Sequence, residues 1–208
     1  MRLPVLLLAL TTTLSGCGAL SALSGGPHRD VFELRPPALA ATQCGRGRVG
    51  ELVVEPPKAR GTLDTERIMI RPSPLQTQFL PDAQWGDTVP VTLQRLLVQS
   101  LGSFDVFTNV GRAPLGLSGD FALVSEIEDF NAEVEGRAAV VRMTVDARMV
   151  REMDASVASR RRFAVAVPAA STRTADLIPA FDEAGQKLTA EMVEWSLRAV
   201  GVNLANCR

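Results

Sequence analysis

The sequence predicts an α+β fold, a two-layer sandwich in which a mostly antiparallel sheet carries two main helices on one face. Three observations lead there. Periodic segments run in the order strands, helix, strands, helix, which segregates helices from an antiparallel sheet. Residues 139–149 alternate strictly, with Ala139, Val141, Met143, Val145, Ala147 and Met149 apolar and Arg142, Thr144, Asp146 and Arg148 polar. Two stretches carry a single apolar stripe at steps of three and four, the period of a helix with one buried face.

The chain opens with one basic residue, Arg2, then an apolar run from Leu3 to Leu10 and the small-residue stretch Leu14, Ser15, Gly16 before Cys17. A charged tip, a short apolar segment and small residues before a cleavage point are the layout of a secretory signal. Cysteine directly after Leu-Ser-Gly matches a lipobox, in which Cys17 is acylated and becomes the mature N-terminus. The alternatives are an ordinary signal peptide with a chance cysteine, or a short membrane anchor. The apolar run falls well short of the roughly 20 residues a spanning helix needs. Residues 1–16 are therefore assigned to a lipoprotein signal peptide. An acylated Cys17 ties the chain to a membrane surface, and because Gly18 and not an aspartate follows it, the outer membrane, with the domain facing the periplasm, is the expected location.

Residues 17–48 read as the lipidated N-terminus and a flexible tether, rich in Gly and Ser at first and then carrying Pro27, Pro36 and Pro37. The single histidine, His28, lies here and reads as a solvated linker residue. A short strand around Phe32 to Leu34 is the one element expected before the folded domain, residues 49–208.

Within that domain, residues 52–54 form a strand ended by Pro56 and Pro57. A second strand covers residues 68–70 before Arg71 and Pro72, and a polar loop follows through Trp85. Asp87 or Thr88 can cap a helix that tolerates Pro90 in its first turn. Leu93, Leu96, Leu97 and Leu101 give it an apolar stripe, and Gly102 ends it. Residues 104–107 read as a short strand. A meander follows: Phe121, Leu123, Ser125 and Ile127 share one strand face, the alternating 139–149 strand comes next, and Phe163, Val165 and Val167 form a third strand closed by Pro168. A long helix from about residue 176 to 200 carries Leu177, Phe181, Ala184, Leu188, Met192, Trp195 and Ala199, with Gly201 as its stop.

Composition excludes more than it selects. A formal net charge of −1 gives no support to nucleic-acid binding, which needs a basic face. Eight Phe, two Trp and no Tyr argue against a large aromatic recognition platform. With Cys17 assigned to lipid, Cys44 and Cys207 remain as a candidate disulfide in an oxidising compartment; two free or intermolecular thiols are the alternative.

Candidate chemistry is sparse. Residues 45–50 fit G-x-G-x-x-G literally, but the glycines precede a strand and open no helix, so the amide cradle of a dinucleotide site is missing. No Walker-type phosphate loop occurs, and one linker histidine supports neither a Ser-His-Asp or Cys-His site nor a histidine-based metal site. Glu126, Glu128, Asp129, Glu133 and Glu135 could be read as a glycosidase-type carboxylate pair, or as the wet face of a strand. The run Arg160, Arg161, Arg162 could meet anionic lipid or an acidic partner, or simply open a solvated strand. Trp85 is either a cap over the core or an interface anchor, a possible partner contact.

The lipobox, then Ile68 to Arg71 and Trp85 leading into the leucine helix, resembles the ABC-type transport auxiliary lipoprotein family. The likeness continues through residues 103–106, 120–127, Asp129 and Phe130, Phe163 with Pro168, and Val193 to Trp195 in the closing helix. It spans about residues 30 to 200, although tyrosines common in members are missing here. The resemblance implies no enzyme and no cofactor. It implies a periplasm-facing accessory lipoprotein working with ABC transporter subunits and a mammalian-cell-entry-domain protein, moving lipids or hydrophobic compounds through the envelope. A homo-oligomer is a further implication, but nothing in the chain encodes a stoichiometry. The rival readings are a lipid-binding carrier with its own cavity, a periplasmic enzyme of another type, and a structural envelope lipoprotein.

Overall fold

A computed structural model of the chain describes residues 29–39, 43–44, 49–112 and 119–207. Cys17, His28 and the rest of residues 1–28 lie outside the described residues, as do residues 45–48 of the glycine-rich motif. Among the described residues, nine strands form one open mixed sheet, mostly antiparallel, and two α-helices pack on one face of it.

The spine of the sheet is β7 (Phe121–Glu135), fifteen residues long. On one side it continues as an antiparallel meander into β8 (Ala138–Arg151) and β9 (Ser156–Ala169). On the other side three segments lie end to end along it, all parallel: β2 (Glu51–Val54), β3 (Lys58–Ala59) and β4 (Arg67–Ser73). They pair as Leu52 with Phe121, Lys58 with Glu126 and Ile70 with Ala132. β2 carries β6 (Asn109–Arg112) on its outer side. β4 carries β5 (Gln76–Trp85), which in turn carries the short parallel β1 (Asp30–Phe32).

The alternation of β8 is realised in full: its six inward apolar side chains are all at most 1% exposed. β7 keeps its inward face by a register shift between Ile127 and Asp129. Glu128 is the extra residue there, so the buried positions change from odd (Leu123, Ser125, Ile127) to even (Phe130, Ala132). Pro168 is tolerated because β9 is an edge strand with β8 as its one partner.

Helix α1 (Val89–Gly102) buries Leu93, Leu96, Leu97 and Leu101, and helix α2 (Thr174–Ala199) buries Leu177, Phe181, Ala184, Leu188 and Met192. Thr88 occupies the N-cap of α1 in an extended conformation but makes no side-chain cap bond. Between the layers sits an aromatic cluster: Trp85 meets Phe181 and Phe130 edge-on at centroid distances of 5.3 and 6.1 Å. A second pair, Phe163 and Trp195, joins β9 to α2 at 5.5 Å.

Three expectations are corrected. Residues 76–85 form a ten-residue strand and not a polar loop; only Leu80, Ala83 and Trp85 face inward strongly, and Pro81 falls where the β4–β5 register shifts, so the alternation is broken in the sequence. Residues 104–107 form turns and not a strand, although Phe104, Val106 and Phe107 are buried; the strand starts at Asn109. The folded part also begins well before residue 49, because β1 and the segment after it belong to the fold.

Candidate functional site

Leaving the sheet edge at β1, residues 33–39 form a strap along the helix layer, and the local chemistry shows why it stays there. After β1, Gly86 N–H donates to Phe32 O at 2.9 Å. Leu34, 2% exposed, drops onto Gly185 of α2; a Cβ at Gly185 would sit 3.1 Å from Leu34 Cδ1. A mid-helix glycine costs roughly 0.5–1 kcal/mol relative to alanine, and here that position makes room for a fully buried leucine. Arg95 on α1 donates to Leu34 O at 3.2 Å, so both helices hold the strap.

Asp182 fixes the next residue. Its carboxylate accepts the Arg35 backbone N–H at 2.9 Å, the Arg35 guanidinium at 3.0 and 2.5 Å, and the Gln186 side-chain amide at 2.8 Å. Burial works to raise the pKa of this group, but the donors from Arg35, then Gln186, hold it below the ordinary carboxylate value. Farther on, the Sγ atoms of Cys44 and Cys207 are joined at 1.95 Å. The C-terminal segment is folded back beside them by Val202 N–H donating to Leu197 O at 3.0 Å. Strap, disulfide and C-terminal segment border an apolar groove of about 400 Å³ lined by Leu39, Phe104, Val193, Leu197 and Leu204, with Glu191 and Glu194 at its rim.

The opposite face of the sheet is an array of ion pairs. Arg160 contacts Asp146 at 2.9 Å, Arg162 contacts Glu128 at 2.5 Å, and Arg142 contacts Glu133 at 2.5 Å and Glu135 at 3.8 Å. Arg71 lies 3.7 Å from Asp129; Arg161, on the helix side of β9 over the Phe163 ring, instead reaches Glu191 of α2 at 3.6 Å. The carboxylates considered for acid–base work are thus spread along β7, with Glu128, Asp129, Glu133 and Glu135 matched to arginines. The arginine run is matched in turn, so it offers no free cationic patch. Among the described residues, no group of three His, Cys, Asp or Glu side chains could hold a metal ion.

Trp85 is corrected as a partner contact: it is 2% exposed at the end of β5, packed between Phe130 and Phe181. Of the two roles left open for it, the geometry selects the core. Sequence reasoning missed Leu34, Arg35, Asp182 and Gly185. The available signal was Gly185 beside Ala184 and Leu188, which widens the small, apolar side of α2 where a chain can approach.

A model of the ABC-type transport auxiliary lipoprotein component matches residues 32–193, from the end of β1 to the last turns of α2. The chain belongs to this family. The uncharacterized protein bll6063 from Bradyrhizobium diazoefficiens is 26% identical over 181 residues, which is 85% of this chain and 47% of the relative. The chain therefore spans about half the length of the curated relative it matches. Protein XCC0632 from Xanthomonas campestris has a similar structure, with a TM-score of 0.72 and 25% identity over 81% of this chain and 94% of that one. The hypothetical protein CT253 from Chlamydia trachomatis shares the fold at a TM-score of 0.52 and 14% identity, covering 76% of this chain and all of that one. The family is described as an auxiliary lipoprotein component of ABC-type transport.

Proposed function

We propose that the chain is the non-catalytic, periplasm-facing accessory lipoprotein of a system that pairs an ABC transporter with a mammalian-cell-entry-domain protein. The system moves lipids or other hydrophobic compounds across the envelope, and acylated Cys17 holds this component at the outer membrane. The family match over residues 32–193 carries the reading. Two features support it: the lipobox before Cys17, and a domain whose charged groups are neutralised in pairs instead of converging on a reaction centre. A disulfide between Cys44 and Cys207 would close the ends of the domain into a stiff docking body. Affinity capture from crosslinked cells tests the assignment. Recovery of transporter and mammalian-cell-entry subunits is expected; their consistent absence would count against the role.

The groove beside α2 favours a second reading, a lipid carrier, since about 400 Å³ falls within the roughly 300–1,000 Å³ of small-molecule sites. Against it, the space between helices and sheet is filled by Trp85, Phe130 and Phe181. Mass spectrometry of lipid extracted from the purified chain separates the two: stoichiometric lipid that survives removal of the anchor supports a carrier.

A further inference from the structure

We infer that the tip of the β4–β5 hairpin, with Leu75 at its apex, is the membrane-contacting end of the domain. The inference rests on the reading of Cys17 as the lipid anchor. Because β1 runs parallel to β5, with Asp30 opposite Ala83 and Phe32 opposite Trp85, the chain upstream of Asp30 enters from the side of lower β5 numbers. That direction is the hairpin tip. Arg29 is already on this path, donating to Pro81 O at 3.3 Å, and the tip begins at Gln76, roughly 17 Å away at about 3.3 Å per residue.

The length of chain fits. Cys17 stands twelve residues before Arg29, a length of chain whose maximum reach is roughly 40 Å. The tip is therefore within ordinary reach of a bilayer that holds Cys17. The far end of the sheet lies much farther from Arg29 than the tip does, since Arg151 pairs with Phe121, eleven β7 positions or roughly 36 Å from Ala132.

The tip has the chemistry a bilayer interface would accept. Leu75 is 100% exposed and follows Pro72 and Pro74 in a turn that Arg71 stiffens by donating to Pro74 O at 2.6 Å. Since β4 and β7 are parallel, with Arg71 opposite Glu133, the β7–β8 turn with exposed Arg137 lies at the same end. Between the two turns runs a groove of about 280 Å³ lined by Arg71, Pro72, Pro74, Val134 and the carboxylates Glu133 and Glu135, which Arg142 pairs. An apolar apex beside an exposed arginine, here Arg137 since Arg71 is paired with Asp129, is an arrangement that inserts at headgroup depth while the cation stays among the phosphates. The occupant is thus a lipid surface, held close by the chain's own anchor.

The test uses the lipidated full-length chain in phosphatidylethanolamine and phosphatidylglycerol vesicles with brominated acyl chains. Leu75→Trp is compared with Met153→Trp, a position 88% exposed in the β8–β9 turn at the other end; the native Trp85 and Trp195 are buried and give a common background. Bromine quenching roughly twofold or more stronger at position 75 is expected for a side chain at headgroup depth. Equal quenching at the two positions, with the protein floating on the vesicles, overturns the membrane contact and leaves the anchor standing. Failure of the wild-type chain to float overturns the anchor and this contact together. A photo-crosslinker at position 75 in cells is expected to capture lipid; a protein adduct in its place would make the tip a partner-docking site and refute the inference.

Discussion

Asp182 holds its proton less tightly in the folded chain than in the unfolded one, and the sign of its effect on stability follows. Its folded pKa is depressed, so its contribution is complete above the ordinary carboxylate value of about 4. The contribution disappears as pH falls from there through the lowered folded value. Below about pH 4 the wild type should therefore lose its hold on Arg35, read as proteolytic cleavage in the strap. Asp182→Asn should show that susceptibility at neutral pH and a flatter acid profile; a profile unchanged from wild type would refute the assignment. At the other large buried side chain, Trp85→Ala removes the centre of an aromatic cluster and should destabilise by about 3–5 kcal/mol in urea unfolding. A cost near zero would mean that Trp85 serves a surface, as an interface anchor would.

The strap shows how an element with weak local signals becomes structural. Its residues carry prolines and little periodicity, so it reads as tether, and its stability comes from the helices below. Gly185→Val places branched carbons where Leu34 Cδ1 already lies 3.1 Å from the Cβ position. The strap should lift from α2 at a cost comparable to Leu34→Ala, about 2–5 kcal/mol. Chemical denaturation with limited proteolysis checks this, and Gly185→Ala, which needs a shift of only a few tenths of an ångström, should be the milder change. The same logic hid β5. Its inward residues are split by a register shift at Pro81, and a strand whose alternation is interrupted resembles a polar loop until its neighbours β4 and β1 are known. Gly50 adds a local constraint of its own: at φ +91° its Cβ position is already occupied by Asp120 Oδ2, which accepts the Glu51 N–H at 2.8 Å.

For the whole molecule, the bond between Cys44 and Cys207 closes a loop of 163 residues, which the chain-entropy model values at roughly 5 kcal/mol. Thermal melts should fall markedly with reductant, and the double variant Cys44→Ser/Cys207→Ser should match reduced wild type. Melts insensitive to reductant would refute the bridge. Cys17→Ser is expected to move the mature chain from the membrane fraction to the soluble fraction, and retention at the membrane would refute the anchor.

What the sequence determined by itself were the features written in local period: β8 and its alternation, the apolar stripes of α1 and α2, the α+β order, and a family likeness spread over those same positions. Periodicity is a property of neighbouring residues, so it survives without a partner. Tertiary structure alone decided where β5 and β1 pair, that Leu34 and Arg35 lock onto Gly185 and Asp182, and that Trp85 faces inward. Those outcomes depend on groups brought together across 147 positions in the case of Arg35 and Asp182. The energy of such a contact resides in the pair, and neither residue's own neighbourhood records it.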